Sequence, residues 1–170
     1  MENSEFLFVT AEVGVAFTGF AGLVTVLARR LGSPGTHRVD IARLRLVLIG
    51  SIITVLISLL PYVAAQLISG PSSWSISALI SATAIAFLLC FEVIVPVTKF
   101  RRDGNVANLN MMIVYLTILA LSACILALLV CVLIYPSLVQ AIYVVTIYTV
   151  IFVVGITLVR LFISLASSES

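Results

Sequence analysis

Five apolar runs dominate the chain: Phe6–Ala28, Leu46–Ile68, Trp74–Thr98, Met111–Ile134 and Leu138–Leu165. Each reaches or exceeds the roughly 20 residues that an α-helix needs to cross the hydrocarbon of a bilayer. Inside lipid no water is at hand for an open backbone, so a spanning segment must satisfy its own N–H and C=O groups. The runs lack the alternation of a membrane β-barrel, so they are expected to be helices. Only 9% of the residues are charged, against roughly a quarter in a soluble domain. The expected fold class is all-α, a polytopic integral membrane protein with five transmembrane helices in a single domain, residues 1–170.

The charges fix an expected orientation. Arg29, Arg30, Arg38, Arg43 and Arg45 follow the first run, Lys99, Arg101 and Arg102 follow the third, and Arg160 lies near the end of the fifth. These are all nine basic residues. The connections around Ser69–Ser73 and Tyr135-Pro136-Ser137 carry no charge. By the positive-inside rule the N-terminus is outside and the C-terminus cytoplasmic. The start, Met-Glu-Asn-Ser-Glu, is acidic, and the first apolar run is too long for a signal peptide core, so no cleavage is expected. Gly32–Gly35 and Asp103–Asn105 read as turns, Asn108 as a helix cap, and the chain from about Thr36 as helical before it enters the membrane. Pro136 marks a tight hairpin between the last two spans.

Polar residues inside the spans are the candidates for function. Glu12 lies six residues into the first run, roughly 9 Å deep by helical rise. A carboxylate there faces a cavity, a partner or an ion path more readily than lipid, although at that depth it also reaches the surface by snorkelling. Gly14, Thr18 and Gly22 form a small-residue stripe that Thr25 extends, suited to close helix contact or to a smooth pore wall. Gly50, Thr54 and Ser58 repeat the pattern in the second run, where Pro61 removes the N–H that would serve the carbonyl of Ile57. Glu92, in the third run, is followed by Pro96, which in the same way frees the carbonyl of Glu92 itself. That coincidence outlines a cation or hydration site at a kink. The alternative is an ion pair of Glu92 with Arg160 or Arg45, since a buried charge seeks a partner.

The sequence also narrows the chemistry. Cys90, Cys124 and Cys131 form no Cys-x-x-Cys pair, and His37 is the only histidine, so the usual zinc frameworks are missing and no metal site is expected. There is no P-loop and no Gly-x-Ser-x-Gly elbow, and the aspartates, Asp40 and Asp103, lie outside the spans. A non-catalytic protein without cofactors is expected. Its partners are the bilayer and further copies of itself, with anionic lipid headgroups as candidates at the basic loops and no support for nucleic acid. Glu12 followed by Phe17-Thr18-Gly19-Phe20-Ala21-Gly22 looks like the start of many small bacterial membrane proteins, with no family or activity attached to it; the expected location is a bacterial inner membrane. Two roles fit these features. One is a small oligomeric pore or permease-like unit that conducts a small ion, a cation by preference, with Glu12 at the outer mouth and Glu92 at an inner site. The other is an accessory or scaffold subunit that docks on a larger membrane complex.

Overall fold

A computed structural model describes residues 2–30, 38–67, 72–102 and 111–167. These residues are helical almost throughout. In chain order they form α1 (Glu2–Arg30), α2 (Arg38–Leu67), α3 (Ser72–Leu88), a π-helical segment (Leu89–Ile94), α4 (Val95–Arg102), α5 (Met111–Leu133), a 3-10 turn (Pro136–Leu138) and α6 (Val139–Ser167). α3, the π segment and α4 follow one another without a break. Among the described residues four stretches are long and apolar enough to cross a membrane: Arg43–Leu67, Ser72–Lys99, Met112–Leu133 and Pro136–Ile163. The first expected span falls on α1, whose described apolar stretch, Leu7–Leu23, is shorter. The expected turns at 32–35 and 103–105 and the Asn108 cap lie outside the described residues.

Four of the elements close into a ring. α2 packs on α3 and α6, α3 also packs on α5, and α5 returns to α6. α1 lies outside this ring, mainly along α2, with a smaller contact to α6. The middle of the ring is filled by Val47, Ile85, Leu88, Leu121, Leu128, Ile147, Val150 and Val154, all fully buried. The outward side of α5 is apolar and exposed, from Met112 and Leu116 to Leu119, Leu126 and Leu133. An apolar outside around an apolar inside is what lipid solvation permits; helix association then depends on close packing and on hydrogen bonds between helices.

Small residues set the closest approaches. A Cβ on Gly14 would lie 2.8 Å from Cγ2 of Val55 and 3.2 Å from the carbonyl oxygen of Ser51, both on α2. A Cβ on Gly50 would lie 2.7 Å from Cγ2 of Val154 on α6. Valine is β-branched and stiff at χ1, so neither valine swings aside freely. Hydroxyls on these faces turn back on their own helices: Thr18 donates to the carbonyl of Gly14, Ser51 to that of Val47 and Thr54 to that of Gly50. Such bonds let a polar side chain sit in an apolar seam without an orphan donor.

The stripe read on the first run divides in the structure. Ala11, Gly14 and Ala21 are buried, whereas a Cβ on Gly22 would meet nothing within 4 Å. The close approach of this face is therefore to α2 of the same chain, and Gly14 rather than Gly22 is where it is tight. Gly14→Leu is expected to loosen α1 from α2 and to destabilise the protein by about 1–3 kcal/mol, the usual cost of overpacking. Gly22→Leu is expected to stay within about 0.5 kcal/mol of wild type. Unfolding of both variants in mixed micelles checks this; equal losses would contradict the placement of Gly14.

Candidate functional site

Two prolines interrupt helices inside the membrane-length stretches. Pro61 sits inside α2. Its missing N–H leaves the carbonyl of Ile57, four residues earlier, without its helical donor. The hydroxyl of Tyr143, on α6, takes that donor's place and bonds the Ile57 carbonyl oxygen at 2.6 Å. The same hydroxyl shares a hydrogen bond of 2.9 Å with Ser81 Oγ on α3. Tyr143 is almost completely buried, and the indole ring of Trp74 meets it edge-on at 5.8 Å. One phenol therefore ties α2, α3 and α6 together at the proline break. The neighbouring Ser58 is fully buried, and its Oγ has no hydrogen-bond partner.

Pro96 lies two residues past the π segment, near the start of α4. Here the turn before the proline is widened: the N–H of Val95 reaches back five residues to the carbonyl of Cys90. A π turn is rare and recurs at functional positions. Glu92 sits within it and is buried, its side chain only 2% exposed. Oε1 of Glu92 lies 2.9 Å from Nη2 of Arg45, which reaches over from α2 with 65% of its side chain exposed. The buried carboxylate thus meets a cation at the rim of the bundle, which offsets part of the cost of removing its charge from water. Of the two cations considered for Glu92, Arg45 makes this contact. Arg160, on α6, has Arg43 as its electrostatic neighbour.

Glu12 is exposed, as are Ala16, Gly19 and Leu23, which share its side of α1. That side faces away from α2. Gly19 has open space where a Cβ would stand. Thr18 is half-buried with its hydroxyl spent on its own helix, and the side chain of Thr25 lies outside the described residues. The polar residues singled out from the sequence are therefore not gathered at one place. Gly50, Thr54 and Ser58 belong to the α2 core, Glu92 and Arg45 to one end, and Glu12 to the outer surface of α1. Among the described residues no three His, Cys, Asp or Glu side chains converge in a way that would hold a metal ion. Tyr143 and Ser81 were not identified from the sequence. Pro61 announced a free carbonyl, but nothing in the order of residues said which distant donor would reach it. Compared with family models, curated proteins and solved structures, the chain matches none.

Arg45→Gln should cost more than Glu92→Gln, because the first leaves a carboxylate buried without its cation and the second frees a side chain already near solvent. Losses of about 3 and about 1 kcal/mol are expected, and the double variant should be milder than the sum. A double-mutant cycle followed by unfolding in micelles measures both; a zero coupling term would remove the pair as a stabilising contact.

Tyr143→Phe should cost about 1–2 kcal/mol, since it strips the Ile57 carbonyl and Ser81 of a shared partner inside the bundle. Adding Ser81→Ala to Tyr143→Phe should cost less than Ser81→Ala alone. Thermal unfolding of the three variants checks that order.

Proposed function

We propose that the chain works as an assembly of copies in a bacterial inner membrane, conducting a small cation along a path between subunits. In this reading α1 crosses the membrane as a fifth span, with the N-terminus outside and the C-terminus in the cytoplasm. Its 29 helical residues extend roughly 43 Å, more than a bilayer's hydrocarbon requires. The distribution of the basic residues supports the orientation.

The observation that carries the proposal is the exposure of Glu12 on the side of α1 turned away from α2. A carboxylate at membrane depth calls for water, a cation or a protein partner. Ala16 and Gly19 beside it allow another helix to come near. With α1 facing inward in an assembly, Glu12 from each copy forms an acidic ring, and such rings favour cations. The centre of the four-helix ring is filled with apolar side chains, so a route between copies fits the packing better than a route through one chain. Glu92 then serves the stability of each subunit through Arg45.

That filled centre also favours a second reading, an accessory or scaffold subunit whose exposed α1 face docks on a larger membrane complex. Recording from purified protein in planar bilayers separates the two. The pore reading expects cation-selective current, with Glu12→Gln shifting the reversal potential in a salt gradient toward that of a non-selective path. No current from a folded, oligomeric protein would replace it with the accessory reading. An unchanged reversal potential in Glu12→Gln would take Glu12 out of the path.

A further inference from the structure

Beside Pro61 the bundle holds a pocket of about 170 Å³ between α1, α2 and α3. Phe8, Ser58, Pro61, Tyr62, Ala65 and Trp74 are among its walls. Phe8 and Tyr62 are exposed, with their rings 5.8 Å apart and edge-on, so the pocket opens on the surface that faces lipid. An apolar cavity of about 150 Å³ takes up benzene; this pocket has room for one six-membered ring. Ser58 is fully buried, and its Oγ has no hydrogen-bond partner. A hydroxyl in that state carries a desolvation cost that an oxygen atom of a ligand relieves. No partner holds its rotamer, so the hydroxyl is free to turn about χ1 toward such a ligand.

The chemistry of the walls and their depth narrow the occupant. Trp74 and Tyr62 bring an indole N–H, which only donates, and a phenol O–H, which can donate. None of the described lining residues is charged. A neutral molecule with acceptor oxygens fits this set. Ser58 lies nine residues before Leu67, where the apolar stretch of α2 ends. Helical rise places it roughly 13 Å below that end, deep in a hydrocarbon layer roughly 30 Å thick. The oxygens of a phospholipid stay at the interface, so its acyl chain brings none to this depth. A quinone dissolved in the bilayer does. Its ring carries two carbonyl acceptors, its flat face suits aromatic walls, and its isoprenoid tail belongs in lipid. We propose that the pocket binds the ring of a membrane quinone, with one carbonyl accepting from Ser58 and the tail leaving past Phe8 and Tyr62. The site does not depend on whether the protein conducts.

Trp74 is the only tryptophan of the chain, and quinones quench indole fluorescence on contact. The test titrates purified protein in neutral detergent with a ubiquinone that carries a single isoprenoid unit. Wild type is expected to show saturable quenching. Ser58→Ala should weaken binding about fivefold, the usual worth of one hydrogen bond. It should not lower the melting temperature of the empty protein, where Ser58 Oγ has no bond to lose. Thr83→Ala removes an exposed hydroxyl of α3 that bonds its own helix, and should leave binding unchanged. Ala65→Phe fills the pocket and should abolish saturation. Quenching that rises linearly in wild type, wild-type affinity in Ser58→Ala, or saturation that survives Ala65→Phe would each overturn the site. Should Ala65→Phe fail to fold, the Ser58→Ala titration decides alone. The prenol with the same tail and no ring is the competitor. It is expected not to displace the quinone; displacement at equal concentration would assign the pocket to a chain and overturn the ring.

Discussion

The hydrogen bond from the Tyr143 hydroxyl to the carbonyl of Ile57 shows the constraint under which the whole chain is built. In an apolar surrounding an unpaired backbone carbonyl is costly, and a proline within a helix creates one. The fold answers Pro61 by bringing a phenol from a helix more than eighty residues away in sequence, and the answer fixes the mutual placement of α2, α3 and α6. Ser81 completes it from the third helix. Three of the four helices in the ring are thereby joined at one buried hydroxyl.

Pro96 follows a π-helical segment. The π segment widens one turn, so the chain continues into α4. Glu92 lies in that segment, inside the bundle, and Arg45 comes to it from the rim. The two devices sit on either side of the tight contact between Gly50 and Val154. Apolar packing at the middle, a hydroxyl centre on one side and an ion pair on the other give α2 a defined register against its neighbours. α2 touches α1, α3 and α6, so it is the element through which the parts of the bundle are joined.

α1 stands apart from this economy. Gly14 brings it close to α2, but its other side is left open, with a carboxylate at Glu12 and no Cβ at Gly19. The proposed assembly places further copies there.

The helices, the membrane class and the positions of the polar residues were legible in the sequence, because lipid imposes length and hydropathy on every span independently of its neighbours. The same rule exposed the carbonyl of Ile57, and the cost of an isolated charge exposed the need of Glu92 for a cation. That Gly14 and not Gly22 makes the tight approach of α1 to α2 was not legible: a helical wheel gives the face of a residue but not how near the neighbouring helix comes at that level. The choice of Arg45 over Arg160, the recruitment of Tyr143 and Ser81, and the widened turn before Pro96 were decided by tertiary structure alone. Each depends on which helices lie side by side and at what depth, and those relations arise from packing between segments far apart in the chain.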